Sequence, residues 1–323
     1  MMGPKSLLVL GKPGTPHLKP LERLASEAAL LFASDDALLA ELGPEAEVMF
    51  CDIGQGAQLA RVWDRLERLR WVHSISAGVD HLLFPALVAS PVTLTNGRGA
   101  FKRALAEFVI AAALHFAKDV PRLQRQQRAH TWELYDMQEL HGRTMGIVGY
   151  GEIGRAAAAL AKAFGMHVLA LRRRPERSAG DSLADELVPR ERLGDLLSRS
   201  DYVLVAAALT PETRGLIGAA ELARLKPTAV LINVGRGPVV AETALIDALS
   251  AGRIRGAALD VFDVEPLPAE HPFYRLDNLL LSPHTADHVA GWLENAVMVF
   301  LENVARQGRG EPLINVVDKR AGY

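Results

Sequence analysis

The 323-residue chain is short of several things, and each shortage excludes a class of protein. Cys51 is its only cysteine, so no internal disulfide can form, which suits a reducing cytoplasm. No apolar run approaches the ~20 residues of a membrane-spanning helix. The opening residues, MMGPK, lack the apolar core of a signal peptide. Formal net charge is only −2, so neither nucleic acid nor a membrane surface is an expected partner. No fixed-period repeat stands out, and no residue set is assigned to a metal. What is present is ordinary for a soluble globular protein: 49% apolar and 23% charged residues. The length allows two domains, each with its own core.

Against that background the stretch from Thr144 to Arg174 stands out. Thr144–Val148 reads as a buried strand, Arg155 to Phe164 as an Ala-rich helix stopped by Gly165, and His167–Leu171 as a second strand. Between the first strand and the helix lies G-x-G-x-x-G at Gly149, Gly151 and Gly154. This is the strand–turn–helix context of a dinucleotide fingerprint. The first glycine permits the turn, the second admits a pyrophosphate, and the third lets helix and strand pack closely. Glu152 and Ile153, inside the fingerprint, are counted with the glycines as cofactor-binding, and the N-terminal N–H groups and partial positive charge of the helix that follows favour phosphate. The blander reading is a tight βα turn without a ligand.

The end of the second strand selects the cofactor. NAD-binding units place an Asp or Glu about 20 residues after the fingerprint to hold the ribose 2′-hydroxyl. Here Arg172, Arg173 and Arg174 occupy that place. Guanidinium groups pair with a 2′-phosphate that a carboxylate would repel. NADP(H) is therefore expected over NAD(H), with NAD(H) still possible. A solvated basic loop is the alternative.

The first hundred residues alternate between the two periodicities. Ser6–Leu10, Glu47–Cys51, Trp71–Ile75 and Val92–Thr95 read as strands. Leu21–Phe32 carries helical spacing at Leu21, Leu24, Ala28 and Leu31, and Ala57–Leu69 is amphipathic. Gly99–Val120 is a long apolar helix that Pro121 kinks, or after which Pro121 starts a new helix. Further buried strands are expected within Asp201–Ala208, Ala229–Asn233, Gly256–Leu259 and Leu279–Leu281, then a helix over Val289–Arg306. The fold class is α/β: two Rossmann-like or flavodoxin-like domains with parallel sheets and an inter-domain cleft. Residues 1–98 plus 288–323 form the expected substrate domain, and 99–287 the dinucleotide-binding domain.

Three polar residues follow predicted strands, where ligands of open parallel sheets bind. They are Arg236 in LINVGRG, Glu265 in DVFDVEPLP and His284 in LSPHTA. Each alone also reads as a surface cation, a turn residue or a loop histidine. Together, behind a dinucleotide fingerprint, they make a reaction set. His284 is the general acid for a ketone receiving hydride, and the base in reverse. Glu265 stabilises the imidazolium and raises its pKa. Arg236 pairs with a substrate carboxylate and polarises the adjacent carbonyl. The substrate is then a small 2-keto acid or the corresponding 2-hydroxy acid.

Over nearly its full length the chain resembles the D-isomer-specific 2-hydroxyacid dehydrogenases. The matching pieces are SISAGVDHL, ALAEFVIAAAL, GIVGYGEIGR, TPETRGLIG, LINVGRGPVV, ALDVFDVEPLP and LSPHTA. The resemblance implies D stereochemistry, a homodimer built through the cofactor domains, and the three roles just given. It implies that backbone N–H groups at Ala77 and Gly78 hold the substrate carboxylate. It also implies that Asp260 contacts the nicotinamide carboxamide and that Thr213 and Val234 lie along the cofactor. Two departures matter. Arg172 replaces the family's Asp, as in its NADP-using glyoxylate and hydroxypyruvate reductases. Ala206-Ala207-Ala208 replaces the usual His-x-Pro beside the cofactor. The sequence also ends without the extra regulatory domain of many phosphoglycerate dehydrogenases. Trp292, His288 and Phe101 are candidates to line a side-chain pocket, although packing explains them as well. A phosphite-type dehydrogenase and a nucleotide-sensing corepressor are the competing readings, although Glu265 argues against a formate dehydrogenase, which carries Gln there.

Overall fold

The computed structural model describes residues 6–26, 28–172 and 180–323. Two compact units emerge, Met1–Phe101 with Val289–Tyr323, and Lys102–His288.

Among the described residues, the first unit holds β1 (Ser6–Leu10), β2 (Ala29–Ala33), β3 (Val48–Cys51), β4 (Trp71–Ser74) and β5 (Thr93–Asn96). They form one sheet in the order β2-β1-β3-β4-β5, every pairing parallel. That is the flavodoxin-like order. β3 and β4 are buried along their whole length, as strands with both faces covered must be.

One expectation fails here. Leu21–Phe32 is not a helix: Pro16–Ser26 winds as 3-10 helix, and the chain then enters β2. Pro20, inside the 3-10 run, has no N–H for an α-helical ladder. Leu18, Leu21 and Leu24 still reach the core. From Ala29 to Ala33 the backbone is claimed instead by a parallel ladder with Ser6–Leu10.

The C-terminal helix Trp292–Gly308 belongs to this first unit. It brings Phe300, fully buried, to ring distances of 5.1 Å from both Phe50 and Trp71. The tail then follows β5: Val317 N–H donates to Leu94 O at 2.8 Å. Beneath these rings lies a polar knot. Trp71 Nε1 donates to Thr95 Oγ1 at 2.8 Å, and the same oxygen lies 2.8 Å from His73 Nδ1. The Thr95 hydroxyl accepts from Trp71 and, with one proton and a second lone pair, can pair with His73 Nδ1 in either tautomer. Burial pulls the His73 pKa down to about 3, so its ring is neutral.

The second unit holds β6 (Thr144–Val148), β7 (His167–Leu171), β8 (Glu186–Val188), β9 (Tyr202–Val205), β10 (Val230–Asn233), β11 (Gly256–Leu259) and β12 (Leu279–Leu281). The sheet runs β12-β11-β10-β9-β6-β7-β8, again parallel throughout. Counted from β6 this is the dinucleotide-binding order 3-2-1-4-5-6 with one further strand. Its switch point lies between β6 and β9. Small residues let the helices Lys102–Ala117 and Glu152–Ala163 pack together: Ala106, Ala113, Ala157 and Ala161 are all buried. Pro121 starts a new helix, Val120–Arg128, capped by the Asp119 side chain on Arg122 N–H. Among the described residues no helix is long and apolar enough to cross a membrane, and no group of His, Cys, Asp or Glu is placed to hold a metal.

Candidate active site

The fingerprint sits where the strand order reverses. Gly149 has φ +102°, and a Cβ there would lie 2.5 Å from Ala207 N in the segment following β9. Any side chain would therefore force β6 and β9 apart at the switch point. Gly154 meets a second limit: a Cβ would lie 2.4 Å from Gly149 O. Gly151, between them, has no described atom within 4 Å of such a Cβ. It also forms the N-cap of Glu152–Ala163, where no side chain caps the helix. Tight backbone on two sides, open space on the third and a helix N-terminus fit a pyrophosphate.

At the end of β7, Arg172 Nη1 donates to Tyr150 O at 2.9 Å. That bond folds the guanidinium back over the loop between the first two glycines. Arg173 and Arg174 lie outside the described residues. Arg155, on the first turn of the helix, pairs with the buried carboxylate of Asp181 at 3.2 Å. Burial and the Asp181 charge push the Tyr150 hydroxyl well above its ordinary range.

Along the same sheet edge, the loops after β10, β11 and β12 carry Arg236, Glu265 and His284. Glu265 is fixed at both oxygens. Oε1 accepts from Phe262 N–H at 2.9 Å, and Oε2 lies 2.7 Å from His284 Nδ1. An ionised carboxylate only accepts, so Nδ1 carries the proton and Nε2 is the ring's other working nitrogen. The His284 side chain is 44% exposed, which leaves it within reach of a ligand. Its backbone is left-handed, with φ +55°, uncommon for a residue with a side chain.

Arg236 is half-buried, and its Nη1 donates to Gly235 O at 2.9 Å. Two residues not singled out by sequence hold its loop. Asn233 accepts from Gly235 N–H at 3.0 Å and donates to Arg236 O at 3.1 Å. Gly237 presses on the Glu265 loop so closely that a Cβ would lie 2.1 Å from Phe262 C. The Arg236 and Glu265 loops thus pack with their backbones in close contact. Asp260 is 1% exposed, and its Oδ1 bonds to the His284 loop. Asp287 is a further unforeseen acid: Oδ1 is buried without a hydrogen-bond partner among the described residues. Burial pushes its carboxyl up, partly opposed by His288 and His284.

Thr213 lies in the segment after β9, its Oγ1 donating to Ala208 O at 2.6 Å. Val234, just beyond β10, is buried and donates its N–H to Val205 O at 3.1 Å. Ala77 and Gly78 belong to the first unit, in the half-buried loop after β4. Asn96 Nδ2 pins that loop through Ala77 O at 2.6 Å. Phe101 and Trp292 pack on each other, ring centres 5.8 Å apart.

A parallel sheet in this order, with the fingerprint on its first strand and a histidine–carboxylate pair at its carboxyl edge, defines a dinucleotide-dependent oxidoreductase scaffold. Residues 110–286 match the family described as D-isomer specific 2-hydroxyacid dehydrogenase, NAD binding domain. The chain belongs to the D-isomer-specific 2-hydroxyacid dehydrogenase family. It is 35% identical over 266 residues to a glyoxylate reductase of Korarchaeum cryptofilum, covering 80% of this chain and 79% of that protein. It is 30% identical over 304 residues to a D-3-phosphoglycerate dehydrogenase of Methanocaldococcus jannaschii. That match covers 93% of this chain but 57% of the relative's length. Among solved structures, an NADPH-dependent glyoxylate/hydroxypyruvate reductase of Sinorhizobium meliloti, in complex with NADP and sulfate, superposes with a TM-score of 0.84. Identity there is 27%, with 99% of this chain and 100% of that one covered.

Proposed function

We propose that the protein is an NADP(H)-preferring D-2-hydroxyacid dehydrogenase that reduces small 2-keto acids, with glyoxylate or hydroxypyruvate as substrates. The 2.7 Å contact between His284 and Glu265, on the same sheet edge as the fingerprint, carries this reading. Bound reduced nicotinamide supplies the hydride for the carbonyl carbon. His284 Nε2 delivers the proton to the carbonyl oxygen. Glu265 holds Nδ1–H, fixes the tautomer and stabilises the imidazolium ring before transfer. Arg236 pairs with the substrate carboxylate and polarises the neighbouring carbonyl. Backbone N–H groups at Ala77 and Gly78 are assigned to substrate carboxylate binding, which gives the first unit a substrate role and the second the cofactor. Gly149, Gly151, Glu152, Ile153 and Gly154 cradle the pyrophosphate. Thr213, Val234 and Asp260 line the rest of the cofactor.

NADP(H) preference rests on Arg172, joined by Arg173 and Arg174, standing where a ribose-binding carboxylate would exclude a 2′-phosphate. The assembly belonging to this reading is a homodimer.

The test follows nicotinamide absorbance with NADPH or NADH and a panel of glyoxylate, hydroxypyruvate and pyruvate. Turnover favouring NADPH is expected, with kcat falling on the order of 10²–10⁴-fold in His284→Ala. Turnover favouring NADH keeps the reductase and overturns the cofactor preference. Tight cofactor binding without turnover of any 2-keto acid overturns the reaction, in favour of phosphite oxidation or nucleotide sensing.

A further inference from the structure

We propose that Asp260 is the positioning residue for His284: its buried carboxylate holds, through a single oxygen, the loop that carries the imidazole. This rests on the reading of His284 as the proton donor. Asp260 immediately follows β11, and its N–H continues the ladder to Asn233 O at 3.0 Å. Its Oδ1 accepts from Ser282 Oγ at 2.6 Å, Thr285 N–H at 2.9 Å and Ala286 N–H at 3.1 Å. The three donors flank His284 on both sides along the chain.

Two physical points give this arrangement its function. First, His284 sits at φ +55°. A residue with a Cβ holds that conformation only when its surroundings over-determine it. Three donors converging on one anionic acceptor supply the constraint, and bonds to a charged acceptor are the stronger kind. Second, a carboxylate that is 1% exposed is stable only when its charge is met by donors. Loop and carboxylate therefore stabilise each other. The imidazole angle that lets Nδ1 meet Glu265 follows from that mutual support. Since the described bonds fall on Oδ1, a carboxamide contact to the cofactor would use Oδ2. One residue then places both the proton donor and the hydride-carrying ring.

Separating the two roles needs a measurement made without cofactor. The probe is the pH titration and tautomer of His284, read by NMR of ring-labelled histidine in cofactor-free protein, with His284→Ala assigning the signal. In Asp260→Ala the His284 pKa and tautomer are expected to move as the bond to Glu265 loosens. kcat should fall on the order of 10²-fold, the loss typical of a misplacement of about 1 Å. Ser282→Ala removes one donor of three and should lower kcat severalfold at unchanged NADPH affinity. Asp260→Asn keeps an oxygen acceptor but no charge. It should move the His284 titration in the same direction as Asp260→Ala but less far, and weaken NADPH binding. If Asp260→Ala does not fold, Ser282→Ala and Asp260→Asn decide by the same readouts. A His284 titration identical to wild type in these variants, with losses confined to NADPH affinity, overturns the proposal. Full turnover in His284→Ala instead overturns the proton-donor reading and leaves the titration result standing alone.

Discussion

The two sheets bury polar side chains for different ends. In the first unit Trp71, His73 and Thr95 bond one another across neighbouring strands, inside the core. In the second, Asn233 ends β10 and Asp260 follows β11, and both bond to loops beyond the strands, Asn233 to backbone and Asp260 to backbone and the Ser282 hydroxyl. Turned inward, a buried polar group fixes how a core packs. Turned toward the carboxyl edge, it fixes where loops stand, and in an open parallel sheet those loops are where ligands bind. The first unit uses the outward device too, at Asn96, and the loop it pins is the one carrying Ala77 and Gly78.

Three measurements press on that contrast. The largest effect is expected from Thr95→Val, which leaves Trp71 Nε1 and His73 Nδ1 buried without their partner. Urea unfolding of the first unit should show a loss on the order of 2–4 kcal/mol, with kcat per folded molecule unchanged. A fall in kcat at intact stability would erase the distinction between inward and outward groups. Asn233→Ala should do the reverse. It costs about 1–2 kcal/mol for two lost hydrogen bonds, while kcat/KM for a 2-keto acid falls by more than that loss explains. Activity equal to wild type would demote Asn233 to a strand end.

The third effect concerns pH and is the smallest over any one pH unit. His73 titrates near 6.5 when unfolded and at about 3 when folded. Between those values the unfolded chain binds a proton that the folded chain does not, so stability falls as pH falls. One proton gives at most about 1.4 kcal/mol per pH unit. The difference between the wild-type and His73→Phe stability curves should carry this slope below pH ~6.5. Parallel curves would mean that the buried ring does not resist protonation.

Legibility in the sequence follows the same division. Gly149 and Gly154 could be read because a tight strand–helix turn demands glycine, and Arg236, Glu265 and His284 because each follows a predicted strand; the structure brings Glu265 and His284 to 2.7 Å. The Arg172 position could be read from its offset alone, while Arg173 and Arg174 lie outside the described residues. Asn233 and Gly237 could not be read, because their meaning depends on other backbone. Gly237 is needed only because Phe262, on another loop, is so near. The tie from Asp260 to Thr285 and Ala286 spans some 25 residues of chain and leaves no local pattern. Both missed strands lie on sheet edges. Residues Ala29–Ala33 continue the apolar spacing of the turn before them, and only pairing with β1 decides for strand. The other, Glu186–Val188, is three residues long and has no periodicity to read.

The return of Trp292–Gly308 to the first unit carries a consequence for the order of assembly. During synthesis, residues 102–288 emerge with every strand of their own sheet in hand. The five strands begun earlier must wait for Phe300 to fill the space beside Phe50 and Trp71. Until then their apolar faces stay open to other chains. The part of the molecule made first is therefore the part whose core is completed last.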